Sequence, residues 1–213
     1  MIEIENVSVY GFEEAIRGMR NPMNSWDKSD SYTHYFTDEI VIGNNDLDLM
    51  KRLIKSGTDH RKFMRMIVVY ADVTAPLYWW KEADTYKVGT VRNSCSTMHK
   101  ITEKEFTLDD FSHEHMTSHN NALLRDIVGD LNAYRNRYIS SKETDGMKPK
   151  NWWWQIIQLL PSSYNQRATL MLNYEVLANI YHSRKNHKLD EWRDFCKWIE
   201  TLPYSELITG GDV

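Results

Sequence analysis

The feature that most restricts the fold is a long amphipathic stretch in the second half of the chain. Between His119 and Lys142, apolar side chains recur at spacings of three and four, at Leu123, Leu124, Ile127, Val128, Leu131 and Tyr134. This period predicts an α-helix of about six turns with one buried face. Further helices are predicted over residues 152–160, 165–183 and 189–202, with prolines ending the first and the last of these. The second half therefore consists mainly of helices.

The first half mixes strand and helix patterns. Alternation from Ile2 to Val9 predicts a half-buried strand, and the β-branched run from Phe63 to Val73 predicts a buried one. Helices are predicted over 11–19, over 46–55 with Asn45 as N-cap, and from Ala75-Pro76 onwards. Segments 21–37, 89–97 and 142–150 have loop composition. The predicted fold class is α+β, a small antiparallel sheet with several helices in one domain spanning 1–213.

Charge and composition exclude several classes of protein. The 26 basic and 30 acidic side chains give a net charge of -4, which disfavours binding to extended nucleic acid. Cys95 and Cys196 are the only cysteines and form no disulfide framework. The start of the sequence lacks the pattern of a signal peptide, and no apolar run approaches the roughly 20 residues that span a bilayer. We expect a soluble cytoplasmic protein without a membrane partner.

The chain is rich in aromatic residues, with 8 Trp and 12 Tyr. Trp79-Trp80 and Trp152-Trp153-Trp154 are runs within predicted helices. Consecutive helical residues point about 100° apart, so these rings cannot all enter one core. The runs therefore predict contacts with another subunit, a ligand or a second layer.

Residues 93–99 bring an amide, three hydroxyls, a thiol and an imidazole into one predicted loop. Such a loop can hold a phosphate or the edge of a base. The alternative is a turn whose Ser and Thr side chains bond to their own backbone. Cys95 would be a nucleophile only with a lowered pKa, and the sequence places no base beside it, which favours an idle or buried thiol.

Three histidines lie close together at His113, His115 and His119. On a helix, the last two would share a face and suit zinc. No third ligand is identifiable, and catalytic zinc sites usually need three protein ligands, so no metal site is predicted.

A polar stripe follows the predicted helix near the C-terminus. Asn173, Arg184 and His187 recur at helical spacing, and Asn179 lies one position from the stripe. An Arg fork suits phosphate, and Asn amides suit the edge of a pyrimidine or flavin. The alternative is a solvated face whose cations favour the helix dipole.

Together, the loop and the stripe resemble the flavin-dependent thymidylate synthases, the ThyX family. That family carries Arg-His-Arg-x-x-Ser-x-Asn-Glu-x-Ser-x-Arg-Tyr after a strand and a helix led by Ala-Pro. Here the run 63–73, Ala75-Pro76 and the loop 93–99 stand in the same order, with Asn93 and Ser96 matching the family Asn and second Ser. The later match consists of Leu160-Pro161, Asn173, Asn179, Arg184, His187 and Glu191.

The resemblance implies a ThyX-like homotetramer with FAD as cofactor and a pyrimidine deoxynucleotide as small-molecule ligand. The family default is methylation of dUMP to dTMP with NADPH and methylene-tetrahydrofolate. By the same resemblance, Ser96 is the catalytic candidate. Nucleotide binding falls to Asn93, Ser94, Ser96 and Arg184, and flavin binding to His60, Asn173, Asn179 and His187.

The sequence departs from the family at its charged positions. The Arg-His-Arg triplet aligns with Tyr86-Lys87-Val88, the Glu with Ser94, and the Arg-Tyr pair with Met98-His99. An Arg of the family's late Asn-x-Arg element aligns with Glu175. These changes leave two hypotheses: a divergent flavin-dependent enzyme, or a phage or bacterial protein that keeps the scaffold for non-catalytic nucleotide binding or sequestration.

Overall fold

The computed structural model describes residues 1–37, 39–140, 142–143 and 146–210. Strands and helices follow in the order β1 (Glu3–Tyr10), α1 (Phe12–Arg20), β2 (Tyr32–Thr33), β3 (Ile40–Val41), α2 (Asn44–Lys55), β4 (Val68–Pro76), α3 (Leu77–Ala83), β5 (Val91–Ser94), α4 (Ser118–Ile139), α5 (Pro149–Leu159), β6 (Asn165–Asn173), α6 (Tyr174–Arg184), α7 (Asp190–Glu200) and α8 (Glu206–Thr209). The α+β class predicted from the sequence is confirmed. No helix in these ranges is both long and apolar enough to cross a membrane.

The described strands form two antiparallel sheets. The larger has the strand order β1-β4-β6-β5, and the smaller pairs β2 with β3 through Tyr32 opposite Val41 and Thr33 opposite Ile40. Along β6, Gln166, Ala168, Leu170 and Leu172 are buried in strict alternation. That period of two is the property of a half-buried strand.

The chain divides into two compact units. Unit 1 comprises Met1–Glu3, Val73–Thr85 and Asn93–Ala168, and unit 2 comprises Ile4–Asp72, Tyr86–Arg92 and Thr169–Val213. The core of unit 1 contains Ile101, Phe106, Phe111, Leu124, Leu131 and Ile156. In unit 2, Phe12 of α1 makes edge contacts with the rings of Tyr174 and Tyr204, with centroids 5.6 and 5.5 Å apart.

The sequence interpretation was wrong about the segment 165–183. Its first nine residues form β6, and only Tyr174–Arg184 is helical. The predicted loop 89–97 contains β5, which lies beside β6 in the sheet. The predicted strand 63–73 begins later, at Val68, after a 3-10 helix over Lys62–Arg65, and it continues to Pro76. Pairing within the sheet decided β5 and β6, whose local sequence patterns favour a loop and a helix.

The N-terminus of α2 also differs from its prediction. Gly43, not Asn45, occupies the N-cap position. The Asp30 carboxylate accepts hydrogen bonds from the backbone N–H groups of Asn45 (3.0 Å) and Asp46 (3.2 Å). A side chain 15 residues away thus satisfies the donors that the helix start leaves open.

The tryptophan runs behave in two ways. Trp79 and Trp80 on α3 are both buried, with ring centroids 4.9 Å apart, so the expectation that neighbouring rings cannot share a core was wrong for this pair. The Trp80 indole N–H donates to the Gln166 carbonyl at 2.9 Å. On α5, by contrast, Trp152 is buried while Trp154 is 44% exposed. That run has the divergence expected of consecutive helical residues.

Candidate functional site

The predicted flavin residue Asn173 lies where β6 ends and α6 begins. Its side-chain Oδ1 accepts a hydrogen bond from the Val176 N–H at 3.0 Å, which makes it the N-cap of α6. Gly89 packs directly against it: a Cβ at position 89 would lie 2.6 Å from Asn173 Nδ2, and the Gly89 φ is +76°. Glycine is required there by both the close approach and the left-handed backbone. The side chain of Asn173 is thus held in one orientation.

In the first turn of α6, Glu175 pairs with Arg61. The Arg61 Nη2 donates to Glu175 Oε1 at 3.1 Å, and its Nε lies 2.9 Å from Oε2. Both side chains are largely buried, with exposed fractions of 17% for Arg61 and 9% for Glu175. The carboxylate also lies in the first turn of the helix, where the dipole favours a negative charge. A cation therefore lies beside position 175, although the residue itself is acidic.

The far end of α6 carries Arg184. Its Nε donates to the hydroxyl of Tyr86 at 2.9 Å, and its guanidinium lies 4.9 Å from the centroid of the buried Trp192 ring. The ring of His187 meets the same Trp192 edge-on at 6.4 Å, and its Nδ1 accepts from the Leu189 N–H at 3.2 Å. Tyr86, the residue aligned with the first Arg of the family triplet, thus orients the predicted phosphate-binding arginine.

The polar stripe that was predicted to lie on one helix is split, because β6 ends at Asn173 and the helix α6 begins only at Tyr174. Asn173 caps the start of α6, and Arg184 is its last residue, about 16 Å away at 1.5 Å per residue. Only Arg184 and His187 meet around a common ring. Asn179 and His60 are exposed side chains of the same unit.

In unit 1, the hydroxyl of Ser96 organises its own turn. Its Oγ accepts hydrogen bonds from the backbone N–H groups of Met98 (3.2 Å) and His99 (3.1 Å). This is the self-bonded turn considered as the alternative for residues 93–99. A hydroxyl has two acceptor lone pairs and one proton, so the turn leaves the proton of Ser96 to meet a ligand. Asn93 and Ser94 lie exposed on β5.

Ser96 lines a cleft of about 560 Å³ within unit 1, together with Cys95, Lys100, Lys104 and Tyr164. Lys100 pairs with Glu103, and Lys104 pairs with Asp110, so both ammonium charges have a carboxylate partner. Burial, with Asp110 nearby, raises the pKa of Tyr164 to about 12, which keeps its hydroxyl protonated. The cleft thus offers neutral hydroxyl groups and paired cations.

The other candidate groups contribute little. Cys196 is buried, and burial raises the pKa of its thiol to about 11, so it stays protonated. Cys95 is exposed rather than buried. The helix α4 begins at Ser118 with Thr117 as its cap, so His115 and His119 do not share a helical face. Over the described residues, no three His, Cys, Asp or Glu side chains are arranged to hold a metal ion.

Comparison with known proteins gives matches by structure but not by sequence. No protein-family profile matches the chain, and no curated protein matches it by sequence. Among solved structures, thymidylate synthase X (ThyX) from Helicobacter pylori with FAD and dUMP is similar, with a TM-score of 0.67, 15% identity, and coverage of 99% of this chain and 98% of that one.

A second structure of the Helicobacter pylori flavin-dependent thymidylate synthase ThyX, complexed with FAD and dUMP, has a TM-score of 0.65 and 15% identity. It covers 97% of this chain and 99% of its own. The resemblance drawn from the two sequence motifs is therefore confirmed at the level of the fold. This chain has the fold of the flavin-dependent thymidylate synthases at an identity of only 15%.

Proposed function

We propose that this protein is a divergent flavin-dependent enzyme that acts on a pyrimidine deoxynucleotide. The observation that carries the proposal is the fold likeness, over nearly the whole length of both chains, to two structures of ThyX with FAD and dUMP. Methylation of dUMP to dTMP with methylene-tetrahydrofolate and NADPH is the reaction to test first. As part of the same proposal, the protein assembles as a homotetramer.

The amide and imidazole side chains proposed for flavin binding in unit 2 are chemically suited to a flavin ring. Isoalloxazine presents carbonyl oxygens and ring nitrogens, which amide and imidazole side chains can meet. His60 and Asn179 are exposed, His187 is half-buried, and Asn173 uses its Oδ1 as a cap while keeping its Nδ2 as a donor. FAD, when bound by these four residues, would supply the hydride chemistry, and the protein would bind and orient the reactants.

The groups proposed to contact a nucleotide are taken unit by unit, Arg184 in unit 2 and then Ser96, Asn93 and Ser94 in unit 1. Arg184 presents a guanidinium fixed by Tyr86 and Trp192, a geometry suited to a phosphate. Ser96 offers its hydroxyl proton to a carbonyl oxygen of the base, because its lone pairs are already bonded to the turn. Asn93 and Ser94 add exposed polar groups from β5.

Flavin binding is the first experiment. Purified protein, as isolated or after incubation with FAD, is expected to absorb at about 450 nm, where oxidised flavin absorbs. Tritium release from 5-labelled dUMP, with NADPH and methylene-tetrahydrofolate present, then tests the thymidylate reaction. Protein that neither carries nor takes up FAD would reject the enzyme proposal. Bound FAD without tritium release would point to another reaction or nucleotide.

A matched pair of variants tests the role of Arg184. Arg184→Ala is expected to weaken dUMP binding by at least about 1.5 kcal/mol, the scale of a charge-assisted hydrogen bond. Lys185→Ala removes a neighbouring positive charge that lies over the Tyr181 ring, 5.6 Å from its centroid, and should leave binding nearly unchanged. Equal dissociation constants for wild type and Arg184→Ala, by titration calorimetry, would remove Arg184 from the site.

Non-catalytic nucleotide binding is the second candidate function. It is favoured by the Arg61 charge, which the buried Glu175 carboxylate neutralises, and by the loss of the Arg-His-Arg triplet at Tyr86-Lys87-Val88. This candidate predicts that dUMP raises the melting temperature of colourless protein that does not bind FAD. If no pyrimidine nucleotide stabilises the protein at saturating concentration, this candidate fails as well.

A further inference from the structure

A pocket in unit 2 takes no part in the proposed flavin or nucleotide contacts. It lies between α1, the loop that follows it and the small β2–β3 sheet, with a volume of about 540 Å³. We call it the Trp26 pocket. The lining residues used below are Glu13, Ile16, Arg17, Trp26, Tyr32 and Ile40. Its volume falls within the range of roughly 300 to 1,000 Å³ found for small-molecule sites.

The wall of the pocket is held by a buried network. Arg20, 4% exposed, donates from Nε to Asp46 (2.6 Å), from Nη1 to the Ser25 carbonyl (3.1 Å) and from Nη2 to the Lys28 carbonyl (3.0 Å). Because these bonds fix the loop that carries Trp26, the pocket is formed in advance of any ligand. Sites built on side chains locked in this way bind without a large ordering cost.

Two aromatic rings face solvent at this pocket. Trp26 is 50% exposed and Tyr32 is 58% exposed. The Trp26 indole N–H donates to the Asn21 side-chain oxygen at 2.9 Å, which fixes the orientation of the ring. Ile16 and Ile40 add aliphatic surface. Two exposed rings, one of them held in orientation, beside aliphatic walls suit a planar ring as ligand.

The charged side chains of the pocket indicate which polar groups a ligand needs. The Arg17 side chain on α1 is exposed, and it has no hydrogen-bond or ion-pair partner among the described residues. Glu13, one turn earlier, accepts a hydrogen bond from the Thr33 hydroxyl on one of its two oxygens. The remaining cation, Arg20, is neutralised by Asp46. Within the described residues, the pocket therefore offers the Arg17 guanidinium without a carboxylate partner and one Glu13 oxygen able to accept from an N–H group.

We infer that the Trp26 pocket binds a planar heteroaromatic anion that has an N–H donor edge. The ring packs on Trp26 and Tyr32, its N–H edge donates to Glu13, and its phosphate or carboxylate pairs with Arg17. An amino-oxo-pyrimidine ring, present in both guanine and pterin, has this donor edge. The anionic group is a phosphate in a nucleotide and a carboxylate in a pterin acid.

Titration calorimetry on the full chain with GMP and with pterin-6-carboxylate tests the inference and tells the two anions apart. At least one of them is expected to bind, and guanosine, which has the ring without the charge, is expected to bind about tenfold more weakly than GMP. Arg17→Ala should weaken the binding probe by about tenfold or more. Tyr32→Ala should also weaken it, because the stacking surface is lost.

Controls separate this pocket from the α6 contacts. Arg52→Ala removes an exposed arginine of α2 that does not line the pocket, and it should leave the affinity unchanged. Arg184→Ala should also leave it unchanged, so failure here is distinct from failure of the proposed function. The inference is overturned if neither probe binds at millimolar concentration. It is equally overturned if Arg17→Ala and the milder Arg17→Gln, both folded by circular dichroism, keep wild-type affinity.

Discussion

Two buried pairs of arginine and carboxylate in unit 2 differ in how fully their atoms are bonded. In the Arg20–Asp46 pair, three guanidinium nitrogens have acceptors, and Asp46 Oδ2 accepts from the hydroxyls of Ser29 (2.7 Å) and Ser31 (2.6 Å). The backbone N–H groups of Asp30 and Ser31 add two more bonds to the same oxygen, each 3.1 Å long. Each guanidinium nitrogen of Arg20 and each carboxylate oxygen of Asp46 thus has a hydrogen-bond partner within the protein.

The Arg61–Glu175 pair is incomplete by comparison. It has one aligned hydrogen bond, from Nη2 to Oε1, while Arg61 Nε and Glu175 Oε2 are buried without an aligned hydrogen-bond partner among the described residues. Those two atoms lie 2.9 Å apart as an ion pair only. A fully bonded buried network rigidifies a structure, whereas buried polar atoms without a hydrogen-bond partner call for an explanation, such as a functional role or a bound ion or water. The first pair therefore belongs to the scaffold, and the second is a candidate part of the site.

The comparison predicts its largest effect at Asp46. Asp46→Asn leaves Arg20 buried with an uncompensated charge, and we expect a loss of about 3 to 5 kcal/mol in the free energy of unfolding. Urea unfolding followed by circular dichroism measures this loss. Asp48→Asn on the exposed face of α2 is the control and should stay within about 0.5 kcal/mol of wild type. A loss below about 1 kcal/mol at Asp46 would show that the network is not structural.

A smaller effect is expected at Glu175. Glu175→Gln keeps an acceptor for Arg61 but removes the negative charge, and Arg61 is exposed enough, at 17%, to regain water. We expect a loss of about 1 to 3 kcal/mol in unfolding free energy, and tighter FAD binding because the Arg61 charge is no longer neutralised. Glu200→Gln, an exposed carboxylate bonded to the Tyr181 hydroxyl, is the matched control. A stability loss as large as that of Asp46→Asn would erase the distinction between the pairs.

The sequence predicted those parts of the molecule whose signals are local. The α7 helix ends close to the predicted Pro203 stop, and α1 and β1 form where a short helix and a strand were predicted, although burial along β1 does not alternate. The order of strand, Ala-Pro and polar loop was enough to indicate the fold. Local signals of this kind need no knowledge of distant partners.

The segments that sequence reasoning missed depend on distant partners. In β6, the apolar residues Ala168, Leu170 and Leu172 fit a strand, yet the run into α6 hid the boundary at Asn173. Asn173 is a good N-cap residue, and that signal was available in the sequence. Arg61 and Glu175 are 114 positions apart, so no spacing rule could bring them together. The site is therefore less predictable from sequence than the elements that carry it.

Two variants of Asn173 distinguish its role as helix cap from the proposed role in flavin binding. Asn173→Ala removes the acceptor for the Val176 N–H, and we expect a loss of about 1 kcal/mol in unfolding free energy. Asn173→Asp keeps the acceptor and should retain wild-type stability, while it loses the Nδ2 donor that lies against Gly89. If Asn173 holds flavin, both variants bind FAD more weakly. Unchanged FAD affinity in Asn173→Asp would confine the residue to capping.

The smallest expected effect is a change in the pH dependence of stability at the Arg20–Asp46 pair. Burial alone would raise the pKa of Asp46, but hydrogen bonds from Ser31, Ser29 and Arg20 outweigh it and lower that pKa below its ordinary value of 3.8. A carboxyl with a lowered pKa in the folded state stabilises the fold above its unfolded-state pKa, and that contribution is lost as the pH falls through the folded-state value. Ser31→Ala removes one hydroxyl donor, so the pKa of Asp46 is lowered less and its ionisation contributes less stability at pH 7.

The difference in unfolding free energy between wild type and Ser31→Ala should therefore narrow as the pH falls below about 4, with a slope of at most about 1.4 kcal/mol per pH unit for one proton. Urea unfolding between pH 3 and pH 7 measures it, with the exposed Ser183→Ala as control. A difference that stays constant over this range would mean that the Ser31 hydroxyl stabilises the loop without acting on the charge of Asp46.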